Sequence, residues 1–230
     1  AGPHDTDRLS LPPPAARYEE AIEVLDVSRL RMGWSATLGF APVDPEVAEL
    51  AHAAALDTAR AAGVELIDVD VHLTDPVATW LSAGAMSLWL SIEQHEHWPD
   101  RADDLTPYVK ATLEATFDRP LRTLVNGYRR RLQLQADMAT LFGDLDVLLT
   151  PTTAVPAFAA KGPSPSVIGG VEVQPAMSVP FTMLANLCWN PAVSVPAGLS
   201  AEGLPIGLQI IGQRHHDEVP LRLARLLEIE

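Results

Sequence analysis

The sequence predicts an α/β fold built on a mixed β-sheet. Residues 30–71 read as strand, loop, helix and strand, which is the unit that places two strands parallel to each other. Residues 75–142 carry helical patterns, and further short strands and a closing helix follow them. Two of the later strands, 192–196 and 206–211, flank a glycine-containing turn and can form an antiparallel hairpin.

The clearest local signal is the beginning of the helix in the first unit. Asp44 is expected at the N-cap, Pro45 at the first helical position and Glu46 in the first turn. Gly63 stands where a glycine commonly ends a helix. The elements predicted around this helix are an acidic helix at 18–26 and strands at 30–34 and 64–71.

The middle of the chain is predicted to be helical, with Pro120 separating two of the helices. Residues 151–175 are rich in proline and glycine and predict an ordered irregular loop or a mobile flap. The remaining predicted elements are helices at about 75–97, 104–117, 121–142, 181–187 and 217–227, and a buried strand at 146–150.

Composition excludes several classes of function. The chain has 230 residues, and its 30 acidic and 16 basic residues give a net charge of −14. Such a surface repels phosphate groups, so we expect neither nucleic acid nor an anionic membrane as a partner. The single cysteine, Cys188, excludes an intrachain disulfide and a CxxC zinc site. The sequence shows no signal-peptide pattern, and we expect a cytoplasmic protein.

Two histidine-containing patterns resemble metal sites, but their spacing is unfavourable. His95 and His97 are two residues apart, so on a helix they point to different sides. Asp68, Asp70 and His72 share one side of a predicted strand, and we interpret that side as solvated. We therefore expect no metal ion and no cofactor.

A cluster of arginines and the one cysteine have two interpretations each. Arg122, Arg129, Arg130 and Arg131 could bind a substrate carboxylate, although a solvated face that pairs with the protein's own acidic residues is favoured. Cys188 could be a nucleophile, but no histidine lies near it in the sequence. We interpret it as a small buried hydrophobic residue.

The residues themselves give no evidence for a catalytic serine nucleophile. The chain contains no G-x-S-x-G, no Ser-Ser pair and no Ser-x-x-Lys. Its two lysines, Lys110 and Lys161, have no serine at motif spacing. A nucleophile, a base and an oxyanion site cannot be assembled, so no catalytic residue is assigned.

Several segments of the sequence together resemble the C-terminal half of the amidase-signature family of hydrolases. They are DVLLTPTTAVP at 146–156, PFTMLANLCWNPAVSVPAG at 180–198, GLPIGLQIIG at 203–212, the helix start at 39–47, and AGPHDTDRLSL at 1–11. Their order and spacing extend the resemblance over essentially the whole chain. The resemblance implies a layered α/β/α fold with a mixed β-sheet.

The resemblance also implies that the catalytic residues lie elsewhere. The family uses a Ser–cis-Ser–Lys triad in its N-terminal half, which forms an acyl-enzyme from an amide and then hydrolyses it. That half is not in this chain, so residues 1–18 are interpreted as a proline-rich connector and 19–230 as the C-terminal portion of the domain. We expect the chain alone to be inactive.

What this half can supply is the shape of the substrate pocket. By the resemblance, Phe181, Thr182, Ala185 and Trp189 are the candidate substrate-binding residues. Thr182 and Ala185 are three residues apart and face the same side of a helical turn. The candidates for an outer pocket are Trp80, Met86 and Trp89.

The expected partners follow from this interpretation. They are a small-molecule amide substrate, the missing N-terminal half of the same enzyme and, as a further option, other copies of the chain, because half a sheet leaves strand edges uncovered. Two rival hypotheses remain open. One is a non-catalytic binding module, and the other is an accessory subunit that completes another chain's sheet.

Overall fold

A computed structural model describes residues 4–7, 10–11, 17–94 and 97–229. The helices are α1 (Tyr18–Val24), α2 (Pro45–Ala62), α3 (Val77–Gln94), α4 (Pro107–Thr116), α5 (Leu121–Asp144), α6 (Pro180–Cys188) and α7 (Glu218–Ile229). The strands are β1 (Met32–Trp34), β2 (Leu66–Asp68), β3 (Val147–Pro151), β4 (Val167–Ile168), β5 (Val171–Glu172), β6 (Ala192–Leu199) and β7 (Pro205–Gly212). None of the helices within these described ranges is long and apolar enough to span a membrane.

The first half of the main sheet is parallel. Met32 of β1 pairs with Leu66 of β2 on one side and with Val147 of β3 on the other. Helix α2 makes the crossover between β1 and β2, as the strand–helix–strand pattern predicts. Its N-cap is also as predicted, because the Asp44 carboxylate accepts a hydrogen bond of 2.9 Å from the Glu46 N–H.

The second half of the main sheet is antiparallel. Strand β7 pairs with β3 and with β6, and the five strands stand in the order β2-β1-β3-β7-β6. The predicted hairpin and the mixed sheet are therefore confirmed. Strand β6 is eight residues long and forms one edge of the sheet.

Helices cover both faces of the sheet. On one face Ala51 and Ala55 of α2 and Leu223 of α7 pack against Leu149 of β3 and Ile210 of β7. All five side chains are fully buried. Helix α1 lies outside α7, where the Arg225 side chain bonds Glu23 at 2.9 Å.

The opposite face is covered by α5 and α6, with α3 packed against both of these helices. Leu148 of β3 and Ile211 of β7 share a hydrophobic cluster with Met138 and Phe142 of α5 and Leu184 of α6. Consecutive residues of one strand thus enter opposite layers, because side chains alternate across a sheet. The result is the layered α/β/α fold that the sequence predicts.

Two segments differ from their predicted structure. The strand predicted at 64–71 pairs only over β2, because its single neighbour β1 is three residues long. The loop at 151–175 contains the small antiparallel hairpin β4–β5, which turns at Gly169 and Gly170. Both glycines have positive φ angles, 54° and 80°, which explains why the turn uses them.

Candidate functional site

An open cavity of about 710 Å³ lies beside the edge strand β6. Its size is in the range of small-molecule sites. Its walls come from the N-terminal segment, the end of β3, the exposed side of α6, the strands β6 and β7, and the turn before α7. The lining residues are Ser10, Leu11, Thr152, Thr182, Ala185, Asn186, Trp189, Asn190, Pro191, Ala192, Val193, Ser194, Gln209, Arg214, His215 and Asp217.

The cavity exists because α6 stops short of the sheet edge. Ala192 and Ser194 of β6 are exposed, whereas Val195, which points to the α2 layer, is buried. The same face of the sheet is sealed by α6 further in, over Ile211. A strip of sheet face is therefore left open along β6.

A pair of hydroxyl groups forms the polar floor of the cavity. Thr152 Oγ1 and Ser194 Oγ lie 2.7 Å apart, and either can be the donor. They sit over Gly207 of β7, where a Cβ atom would meet Thr152 Oγ1 at 2.7 Å and Ser194 Oγ at 2.8 Å. The absence of a side chain at Gly207 thus makes room for the pair.

Gln209 lies two residues further along the same face of β7 and is nearly completely buried. Its Nε2 donates a hydrogen bond of 3.1 Å to Thr150 Oγ1, which in turn donates to the Pro151 carbonyl at 2.9 Å. This chain of bonds holds the carboxamide of Gln209 in one orientation at the cavity wall.

One face of α6 forms the wall opposite the floor. Thr182, Ala185 and Asn186 line the cavity, and their spacing of three and four residues places them on that face. Trp189 follows at the C-cap with a φ angle of 58°, a left-handed conformation, and half of it is exposed. Phe181 is fully buried in the core and does not line the cavity.

The structure therefore brings three of the sequence-predicted pocket residues together, namely Thr182, Ala185 and Trp189. Their role in binding substrate stays a prediction. Phe181 packs behind them in the hydrophobic cluster and supports α6 from its other side.

Two arginines contact the indole of Trp189. The guanidinium carbon of Arg131 lies 5.3 Å from the ring centroid, and that of Arg214 lies 5.6 Å from it. Arg131 also donates from Nε to the Leu187 carbonyl at 2.9 Å. The prediction of a solvated face is thus wrong for Arg131, because this side chain packs on the end of α6. Arg129 and Arg130 are exposed.

Cys188 is buried beneath the same end of α6. Burial raises the pKa of its thiol to about 12, and the nearby charges of Arg131 and Arg214 offset this only in part. The thiol is protonated at neutral pH, so the interpretation as a small hydrophobic residue holds and a nucleophilic role does not.

Neither lysine of the chain reaches the cavity. Lys110 lies on α4 and bonds Asp103 at 2.7 Å, and this hydrogen bond raises the pKa of the ammonium group. Lys161 is exposed in the loop that follows β3. Neither Lys110 nor Lys161 is thus placed to act as a neutral base in this cavity.

Two of the three residues predicted for an outer pocket lie together, and the third does not join them. Met86 and Trp89 line a second cavity of about 250 Å³, where the indole N–H donates to Thr116 Oγ1 at 2.9 Å. Trp80 lines neither this cavity nor the first one. The three residues lie on α3, away from β6.

The two histidine patterns have separate outcomes. His72 Nε2 lies 3.0 Å from the Asp70 carboxylate, and both side chains are largely exposed, in agreement with a solvated surface. His95 lies outside the described residues. Among the residues that the structure describes, no group of three or more His, Cys, Asp or Glu could hold a metal ion.

Sequence reasoning did not find Thr152, Ser194, Gln209 and Arg214. The first three come from separate strands and meet only when β3, β7 and β6 pair side by side. One sequence signal points to part of this group. Side chains alternate along a strand, so Gly207 and Gln209, two residues apart, lie on the same face of β7.

Comparisons with known proteins agree with this architecture. A family model described as Amidase matches residues 2–221. An acylamidase from Rhodococcus erythropolis is 32% identical over 241 residues, which cover 99% of this chain and 48% of that protein. A glutamyl-tRNA(Gln) amidotransferase subunit from Geobacter metallireducens is 30% identical over 254 residues, covering 99% of this chain and 50% of that protein.

Solved structures show the same relation. The crystal structure of a bacterial aryl acylamidase belonging to the amidase signature enzymes superposes with a TM-score of 0.82 at 25% identity. The superposition covers 99% of this chain and 48% of the other. The chain thus spans about half the length of the relatives that it matches.

Proposed function

Since the chain belongs to the amidase family, we propose that it is the C-terminal part of an enzyme that hydrolyses carbon–nitrogen amide bonds through an acyl-enzyme. In this proposal the catalytic residues come from an N-terminal half, and this chain supplies the wall of the substrate pocket. The observation that carries the proposal is the cavity beside β6, which is open and lined by polar and apolar groups, and whose described lining holds no nucleophile paired with a base.

The cavity suits the binding of a small amide. Ala185 and Ala192 offer apolar contacts, while the Thr152–Ser194 hydroxyl pair and Gln209 offer hydrogen bonds. Such a combination orients a ligand by a few polar groups and gains affinity from apolar contact. We assign substrate contacts to Thr182, Ala185 and Trp189, with Phe181 supporting them from the core.

The described lining of this cavity holds the hydroxyls of Ser10 and Ser194 and the imidazole of His215. These two hydroxyls bond Thr152 and backbone carbonyls rather than a base. Attack on an amide carbonyl requires an activated nucleophile and a base that takes its proton. Cys188 is buried with a raised pKa, and Lys110 is engaged by Asp103 on another surface. We therefore propose that this chain binds and orients the substrate and shields the reacting bond from water, but does not break the bond alone.

The division of the chain follows the same proposal. We assign residues 1–18 to a connector from the N-terminal half and 19–230 to the C-terminal portion of the domain. Ser10 and Leu11 of the connector line the cavity, which supports a path of the chain past the active site. The buried free thiol of Cys188 suits a reducing compartment, so we also propose a cytoplasmic location.

A second candidate function is an accessory subunit that completes another chain's sheet. The feature that favours it is the edge strand β6, whose outer side pairs with no strand in the described part of the chain. An edge of eight residues is long enough to accept a further strand. In this candidate β6 is where a partner strand adds to the sheet.

The test measures activity and mass together. The purified 230-residue chain, incubated with acetanilide as a simple aryl amide, is expected to release no aniline above the buffer rate. Mass spectrometry of the native polypeptide from its source is expected to give about twice 24.8 kDa, since the chain covers 48% of its acylamidase relative. Turnover that co-purifies with the chain and is blocked by a serine reagent contradicts the proposal. A native product with the length of this chain favours the accessory role.

A further inference from the structure

We propose that Arg214, which lines the cavity beside Trp189, and Arg131, which contacts the same indole, make this rim of the cavity a binding site for an anion. The preferred substrates are then amides that carry a carboxylate at the end that reaches Trp189. This inference rests on the proposed function, because it names the substrate class of the same cavity.

The geometry builds the anion site from three side chains. Trp189 stands at the cavity mouth in its left-handed conformation, so its indole projects from the end of α6. The two guanidinium groups lie 5.3 and 5.6 Å from the ring centroid, and such cation–π contacts keep a planar cation close to an aromatic face. Both positive charges thus lie beside the same indole.

Arg131 is fixed further by the end of α6. Its Nε donates to the Leu187 carbonyl at 2.9 Å, and the Gln135 amide donates to the same oxygen at 3.0 Å. This bond uses one of the five N–H donors of the guanidinium group. The bond restrains the Arg131 side chain before any ligand arrives, which lowers the entropic cost of binding.

The charge of these arginines is not neutralised locally. In the described part of the chain neither Arg131 nor Arg214 forms a salt bridge, although the protein carries a net charge of −14. Asp217 lines the same cavity, and it lies next to the N-terminus of α7, where backbone N–H groups favour a carboxylate. Among the described residues, neither guanidinium group at the rim therefore has a salt-bridge partner, although Asp217 lines the same cavity.

The rest of the cavity defines the other parts of the ligand. The apolar side chains of Ala185 and Ala192 line the same cavity as Trp189 at the rim and Thr152 and Ser194 at the floor. A matching ligand has a carboxylate, a short apolar spacer and an amide. An exposed arginine binds a carboxylate through charge-assisted hydrogen bonds, and its planar fork can bond both oxygens.

Binding of two matched probes tests the inference. The probes are succinanilate, an anilide that ends in a carboxylate, and succinanilamide, in which a neutral carboxamide replaces that group. Isothermal titration of the 230-residue chain is expected to show tighter binding of succinanilate by about threefold to tenfold. R214A is expected to abolish this preference, and R214K to retain part of it, because lysine keeps the charge but not the planar fork.

The control variant is R122A, which removes the same charge from an exposed position on α5 outside the cavity. It is expected to keep the preference, and circular dichroism checks that each variant is folded. Equal affinity of the folded chain for both probes overturns the anion site and leaves the proposed cavity intact. Binding of neither probe overturns both proposals, and an equal loss in R122A and R214A shows net charge rather than a site.

Discussion

At the scale of single residues, the polar floor of the cavity depends on the lack of a side chain at Gly207. Gly207 has no Cβ, and this allows the Thr152 and Ser194 hydroxyls to meet 2.7 Å apart above the strand. The Thr152 N–H also donates to the Gly207 carbonyl at 2.9 Å. This bond keeps the backbone of Gly207 close to Thr152, so the strand cannot easily move away from the hydroxyl pair. Any side chain at this position must displace the hydroxyl pair.

We therefore expect Gly207→Ala to destabilise the protein by about 1–3 kcal/mol, the usual cost of overpacking. The new Cβ would lie 2.7 and 2.8 Å from the two hydroxyl oxygens, which real Cβ atoms do not tolerate. Urea unfolding followed by circular dichroism measures the change in the free energy of unfolding.

Gly84→Ala is the matched control for this substitution. Gly84 is exposed in the middle of α3, and a Cβ there meets nothing within 4 Å. Alanine is the better helix former, so this variant is expected to gain about 0.5–1 kcal/mol. Similar effects of the two substitutions would contradict the role assigned to Gly207.

At the scale of elements, one ion pair ties the beginnings of two central strands together. The Asp146 carboxylate, just before β3, accepts from the Arg31 backbone N–H at 2.8 Å and from the Arg31 side chain at 3.1 and 3.0 Å. Arg31 precedes β1 and also donates to the Gly143 carbonyl at the end of α5. The pair thus sets where β1, β3 and α5 meet.

The same contacts make the stability pH-dependent. The hydrogen bonds from Arg31 hold the pKa of Asp146 below its ordinary value of 3.8, against the opposing effect of partial burial. A carboxyl group with a lowered pKa binds its proton less readily in the folded than in the unfolded protein. Its contribution is present above the unfolded pKa and is lost as the pH falls through the lower, folded pKa.

We expect Asp146→Asn to lower the free energy of unfolding by about 1 kcal/mol at pH 7. The loss is modest because the Arg31 side chain is 47% exposed and solvent screens the pair. The difference from the unsubstituted chain is expected to shrink as the pH falls from about 5 to about 3. A difference that stays constant over this range would show that the charge of Asp146 does not matter.

At the scale of the whole molecule, the described part of the chain exposes apolar side chains on several surfaces, two of which are candidates for association. One is the edge strand β6, where Leu199 is 64% exposed. The other is the outer face of α5, where Leu121 is 74% exposed. Only the first of these also presents unpaired strand groups within the described part of the chain, so we place the association surface there.

The chain is expected to associate at high concentration, and Leu199→Lys to weaken this association. A lysine on an edge strand opposes the addition of another strand. Sedimentation velocity over a range of concentrations measures the association constant. Leu121→Lys adds the same charge to a similarly exposed leucine and is expected to leave association unchanged. Weaker association in Leu121→Lys alone would move the surface to α5.

Part of the candidate site could be predicted from the sequence because the family resemblance points to one segment and that segment forms a single helix. Thr182 and Ala185 are neighbours on one face of α6 through helical spacing, and both line the cavity. The same reasoning could not separate Phe181 from them, since a helical pattern does not say which face meets the core. Arg131 was misjudged because its contact with Trp189 joins residues far apart in the chain.

The sequence by itself determined the order and type of the elements, from the Asp44 cap to the hairpin of β6 and β7, because capping, turn chemistry and periodicity act between near neighbours. It also determined the family resemblance. Only the tertiary structure decided that β7 pairs with β3, that α6 stops short of β6, and that two arginines contact Trp189. These features depend on packing between distant segments, and such contacts form only when the layers close on each other.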